Sequence, residues 1–268
     1  MFLGTHLSEH NFARMAKLVN MRHGCRTFTV RSHRSTCVPI EHLGELCMSR
    51  KKYTVYTERH RKEYMRIVLA SASPRRREIL DQIGIKYDVC VSEVDEHSIE
   101  KDPKKLVMLL SERKAMAVLK ALESGKSGLD VDPESESFCV IGCDTLVYQE
   151  KGNGILGKPH TEAEAFEMLS ALQGGVHEVY SGVTVLVSGL KTPVKRSFWE
   201  RTAVHFSEMS DEEILEYIKT EDPMDKAGAY GIQGFCARYI DGIEGDYLNV
   251  VGLPASHLYK ELKSLGIV

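Results

Sequence analysis

No stretch of this 268-residue sequence approaches the ~20 consecutive apolar residues that a membrane-spanning helix needs, and the head has no continuous apolar core of the secretory type. A membrane partner is therefore not expected. Seven cysteines, at 25, 37, 47, 90, 139, 143 and 236, show neither framework spacing nor a C-x-x-C pair, which points to reduced thiols inside a cell rather than to disulfides. The eleven histidines are scattered and no H-E-x-x-H occurs, so a structural zinc site is not expected. A G-x-x-x-x-G-K-[ST] loop, a G-x-G-x-x-G turn after a strand and a G-x-S-x-G elbow are missing as well. Repeats are absent, and the one low-complexity tract is a polar loop over 124–137.

What is present divides unevenly. Residues 1–66 carry 13 Lys/Arg against 5 Asp/Glu, leaving 22 against 33 for the remainder, so a net charge of −3 hides a basic head and a body at −11. An acidic body argues against nucleic acid as a partner, because neutralising a phosphate backbone takes a broad basic face. It leaves room for a few cations converging on one small anion. The head, 1–64, lacks periodic patterning and is expected to be a poorly ordered basic extension with a short helix around 40–48. Its Arg- and Ser-rich, acid-poor composition fits an organelle transit peptide, and an alternative upstream start fits equally. The expected location is cytoplasmic, with an organelle as the alternative.

From Met65 onward the signals sharpen. Residues 66–70 form a short apolar run suited to a buried strand; Ser73 then offers an N-cap, Pro74 a first helical residue and Gly84 a stop. Residues 87–91 alternate like a strand, 103–121 carry the spacing of a long amphipathic helix, and 138–147 read as a second buried strand. Capping boxes at Thr161/Glu164 and Ser210/Glu213 open two further helices, with long β segments at 176–190 and 193–206 between them and a turn at 189–192. Past a Gly-rich stretch at 225–234, short strands are expected near 236–241 and 246–251, then a helix from Pro254. The order predicts an α/β domain over 65–268, a mixed twisted sheet flanked by helices, in two lobes around a cleft.

Three segments can carry chemistry. In Ser71-Ala72-Ser73-Pro74-Arg75-Arg76 a helix start offers open backbone N–H groups and the positive end of its dipole, and hydroxyls and guanidiniums add the fork geometry that matches phosphate oxygens. The plain reading is a capped helix with solvated arginines, although Arg near a helix start opposes the dipole. Asp144, in Gly142-Cys143-Asp144-Thr145, is unusual inside an apolar strand because a buried charge needs a partner. It can hold a divalent cation, deprotonate a water, or simply end the strand. In 225–234 three glycines allow close backbone approach, and Gln233 can read a base edge with both a donor and an acceptor. Lys158, in Gly157-Lys158-Pro159, reads on its own as a solvated loop residue.

Taken together and in order, Ser-x-Ser-Pro-Arg-Arg, Gly-x-Asp-Thr, Gly-Lys-Pro, Asp-Lys-Ala-Gly-x-Tyr-Gly-Ile-Gln-Gly and Val-Val-Gly-Leu-Pro resemble the Maf family of nucleoside triphosphate pyrophosphatases over roughly residues 66–266. The resemblance implies hydrolysis of a nucleoside triphosphate between its α and β phosphates, with Mg²⁺ or Mn²⁺, by a homodimer. It also implies that Asp144 accepts the proton of the attacking water, that Ser73, Arg75 and Arg76 hold phosphates, and that Glu96, Lys114 and Lys158 complete the charged cleft. Asp144 and Glu96 are the implied metal ligands. Arg75, Thr145 and Gln233 match positions tied to substrate choice, and the form of the 225–234 motif resembles the branch acting on dTTP and UTP. Residues alone would have made Glu96 and Lys114 ordinary surface groups. Departures from the family pattern are the long head, the stretched 124–137 loop and Cys143, where Ala or Ser is more usual. Two other readings stay open: a pyrophosphatase for modified or deaminated purine nucleotides, and a nucleotide-sensing protein without turnover.

Overall fold

The computed structural model describes the backbone of 29–32, 37–39 and 53–56, and residues 65–268 apart from 93, 133–135, 151, 153 and 190–192. In the head, β1 (Thr29–Ser32), β2 (Cys37–Pro39) and β3 (Tyr53–Tyr56) pair antiparallel in the order β2-β1-β3. The helix expected near 40–48 and the turn at 190–192 lie outside the described residues. Residues 65–268 form a unit of their own.

That unit opens with β4 (Met65–Leu69), α1 (Pro74–Gln82) and a short β5 (Asp88–Val89), which keeps only the centre of the expected 87–91 strand. The 21-residue α2 (Pro103–Glu123) begins where Asp102 accepts hydrogen bonds from the N–H groups of Lys104 and Lys105. Next come β6 (Ser137–Gln149), a small β7 (Gly154–Leu156), α3 (Glu162–Leu172), β8 (Val176–Val187), β9 (Val194–Phe206) and α4 (Asp211–Ile218). Ser210 and Glu213 form the full capping box at α4. At α3 only half of it exists: Thr161 accepts from Glu164 N–H, but the Glu164 carboxylate reaches His160 N–H, one residue too early.

The C-terminal part departs from expectation. A 3₁₀ turn over Gly234–Tyr239 buries Cys236 and Tyr239, so β10 (Ile240–Glu244) starts later than the 236–241 strand would. The expected strand at 246–251 is a helix, α5 (Tyr247–Val251), which Asp246 caps and Gly252 closes at φ 129°. Asn249 decides this: its buried amide donates to the Val179 carbonyl and to Thr202 Oγ1, fixing the segment across β8 and β9 rather than beside a strand. The chain ends on α6 (Ala255–Ser264).

The sheet runs β10-β9-β8-β6-β4-β5, with β4 parallel to β5 and β6, the remaining neighbours antiparallel, and β7 paired outside this path to β6. Because side chains alternate along a strand, Cys139, Ile141 and Cys143 of β6 pack with α1, α5 and α6 on one face. Phe138 and Val140 pack under α2 on the other. Val147, further along β6, belongs to a separate core with α3 and α4. Glycines set how closely α2 lies: a Cβ at Gly142 would stand 2.2 Å from the Ser111 carbonyl oxygen, and one at Gly182 would stand 2.4 Å from that of Val107. Among the described residues no helix is long and apolar enough to cross a membrane.

Candidate active site

The turn between β4 and α1 is the first wall of a cleft of about 280 Å³. Ser73 stands at the N-cap with φ −60° and ψ 119°, yet its hydroxyl caps nothing. Instead Ser73 N–H donates to Ser71 Oγ at 3.2 Å. No acidic residue occupies the first turn of α1, so its N–H groups and dipole face the cleft uncompensated. Arg75 lines the cleft and donates to Asp225 Oδ2 at 3.1 Å.

Arg76 turns partly inward. Its Nε donates to the Gly252 carbonyl (2.9 Å), one terminal nitrogen to Ser71 Oγ (3.0 Å) and the other to Thr145 Oγ1 (3.2 Å). A guanidinium has five N–H groups, so two remain for a ligand. The Gly252 carbonyl also accepts from Cys143 Sγ (3.2 Å) and Thr145 Oγ1 (3.3 Å). This single oxygen ties the 71–76 turn, the strand flanking Asp144 and the C-terminal turn together, and it gives Cys143 a packing role. Burial pushes that thiol up, against the pull of Arg76, so it stays protonated and able to donate. All four described cysteines, Cys90, Cys139, Cys143 and Cys236, are free and buried.

Asp144 points to the opposite face of β6 from Thr145, toward α2. It is 7% exposed, and Lys114 supplies its partner at 2.6 Å. The same ammonium holds Glu96 at 3.0 Å, so the two carboxylate oxygens lie no more than 5.6 Å apart. Glu96 is brought there by its neighbours: Arg113 donates to the Asp95 and His97 carbonyls, clamping that segment onto α2. Glu96, Lys114, Ser73, Arg76 and Lys158 line the cleft with Arg75. Asp144 lies behind Lys114. Lys158 is exposed and makes no ion pair among the described residues.

Two of the residues that the resemblance ties to substrate choice are not brought into the cleft wall. Thr145 faces Arg76, Ser181 and Gly252 on the far side of β6, and Gln233 stands exposed at the start of the 234–239 turn. Sequence reasoning missed Asp225 as the partner of Arg75. Its only signal was an Asp-Lys pair opening a Gly-rich loop.

Among the described residues no cluster of three or more His, Cys, Asp or Glu can hold a metal unaided. Two carboxylates beside an anion cleft suit a hard cation such as Mg²⁺, which takes one or two protein carboxylates and completes its shell with phosphate oxygens and water. Chemically, the arrangement offers a phosphate grip, a carboxylate pair for a cation and a buried carboxylate able to take a proton.

A family described as "Maf-like protein" matches residues 66–265. A dTTP/UTP pyrophosphatase of Lachnoclostridium phytofermentans is 46% identical over 202 residues, 75% of this chain and 95% of the relative. One from Thermoanaerobacter sp. is 48% identical over 199 residues, 74% and 96% respectively. One from Clostridium acetobutylicum is 47% identical over 205 residues, 76% and 99%.

Proposed function

The chain belongs to the Maf family, and from that premise we propose that it hydrolyses dTTP and UTP to the nucleoside monophosphate and pyrophosphate. The observation that carries this reading is the convergence of Asp144 and Glu96 on Lys114 at the wall of a cleft whose other side is the open start of α1.

The triphosphate is held by the α1 N–H groups, the Ser73 hydroxyl, Arg75, Lys158 and the two uncommitted N–H groups of Arg76. Such preorganised donors stabilise charge as it moves onto the leaving group. Asp144 accepts a proton from a water as that water's oxygen bonds to phosphorus; the anhydride bond between the α and β phosphates breaks, and its electron pair leaves with pyrophosphate. Asp144 and Glu96 would hold a divalent cation, which neutralises phosphate charge when bound. Lys114 keeps both carboxylates in place before substrate arrives and prevents the buried Asp144 from standing unpaired. The Arg76 ties to Gly252 and Thr145 fix the turn against β6.

Pyrophosphate release across a panel of nucleotides with Mg²⁺ or Mn²⁺ tests the reading. UTP and dTTP are expected to be the best substrates, with activity lost on chelation. Strong preference for purine triphosphates, modified ones included, would remove the pyrimidine assignment.

A further inference from the structure

Asp225 is out of place in a cleft built for a triphosphate, because a carboxylate there repels the ligand. Its contacts give it a different task. One oxygen accepts from Arg75 at 3.1 Å, the other from Lys226 Nζ at 2.7 Å. The ammonium of Lys226, whose side chain is 11% exposed, also donates to the Asp222 carbonyl (2.6 Å) and to Asp222 Oδ1 (2.7 Å), so its three protons are all engaged. The Tyr217 hydroxyl donates to Asp222 Oδ2 at 2.6 Å and accepts from Gly231 N–H at 3.1 Å. Tyr217 is fully buried and stacked on Phe235. Burial first, then the bond to Asp222, pushes its phenol well up, so it remains a donor at every ordinary pH.

The chain of contacts is unbroken from the phosphate end of the cleft to Gly231, two residues before Gln233. The backbone closes on it as well: a Cβ at Gly231 would stand 2.7 Å from Lys226 Cε, so a side chain there would press on the lysine stem that these hydrogen bonds hold. Gln233 is exposed and outside the cleft wall, and what it meets depends on where this loop is held.

We propose that the relay Arg75–Asp225–Lys226–Asp222–Tyr217–Gly231 is a specificity device: it sets the 225–234 loop in register with the phosphate-holding Arg75, so that a pyrimidine with a carbonyl at position 4 is read only when the triphosphate is seated. Asp225 and Lys226 are positioning residues in it. The proposal rests on the dTTP/UTP reading above.

Two variants test it, Lys226→Met, which keeps the stem against Gly231, and Asp225→Asn at a 59%-exposed side chain where folding is not at stake. The readouts are the ratio of kcat/KM for UTP over CTP and the inhibition constant of inorganic tripolyphosphate, which has no base to read. The UTP preference is expected to fall by about tenfold or more in both. In Asp225→Asn tripolyphosphate should inhibit at least as tightly as before, since an anion has left the cleft. A purely structural role would weaken all nucleotides and tripolyphosphate together. That result, or an unchanged UTP preference in the folded Asp225→Asn protein, overturns the relay. If the unmodified protein cleaves neither UTP nor dTTP, the functional reading itself fails first and takes the relay with it.

Discussion

His177 is 1% exposed, edge-on to Phe206 and Tyr230, with Nε2 2.7 Å from the Tyr230 hydroxyl and Nδ1 without a partner among the described residues. Burial chiefly, and His205 secondarily, lower its pKa from 6.5 to about 4. Below 6.5 the unfolded chain takes up a proton that the folded protein refuses, so stability is full above that value and falls as pH drops toward 4. At pH 5 this one group removes about 2 kcal/mol. An NMR titration of the imidazole checks it: a midpoint near 4 is expected, and one near 6.5 would refute the burial argument. Individual residues were legible to different degrees for a related reason. Asp144 could be picked out because a carboxylate in an apolar strand demands a partner. Lys114 could not, since one lysine on an amphipathic helix looks like any other until the helix is docked and its amine reaches Asp144 at 2.6 Å. Asp225 was hidden for the same reason, as its pairing with Arg75 spans 150 residues.

At the scale of elements, α2 carries Lys114 and its distance from β6 is set by Gly142. Gly142→Ala puts a methyl against the Ser111 carbonyl oxygen and Ala115 N, backbone atoms that yield only if the helix moves. Overpacking of this kind costs about 1–3 kcal/mol, and Lys114, less than one turn from Ser111, moves with it. A lowered melting temperature and reduced turnover are expected together; full stability and activity would show that α2 tolerates the shift. Helices α1, α3 and α4 could be read from local start signals, because Pro74, Thr161 and Ser210 act on their own first turn, and α2 from the apolar spacing of 103–121. The 246–251 segment could not. Tyr-Leu-Asn-Val-Val is rich in strand-favouring types, and it folds as a helix because Asn249 finds Val179 and Thr202 on two other strands. Local preference yields there to a contact that sequence spacing does not encode. The mixed sheet was legible from the βα alternation followed by paired long strands; the short β7 and the 3₁₀ turns, which depend on packing alone, were not.

The whole molecule sets an electrostatic problem that its cleft has to solve. A body at −11 repels a triphosphate, so the proposed binding relies on charges brought together locally: Arg75, Arg76, Lys114 and Lys158 line one opening, with the start of α1 between them. The long strands β6, β8 and β9 make this possible by running through both cores, one under α1, α5 and α6 and the other under α3 and α4. Asp144 lies on β6 between them, and on the proposed reading it is the group that takes the proton from the attacking water. The most direct test compares UTP turnover by the unmodified protein and by Asp144→Asn, with products resolved by anion exchange and UTP binding measured separately. UMP and pyrophosphate in equal amounts are expected from the unmodified protein. The variant should turn over at least about a hundredfold more slowly while binding UTP comparably. Release of UDP and phosphate, or undiminished turnover by Asp144→Asn, would contradict the assignment of Asp144 as the group that takes the proton.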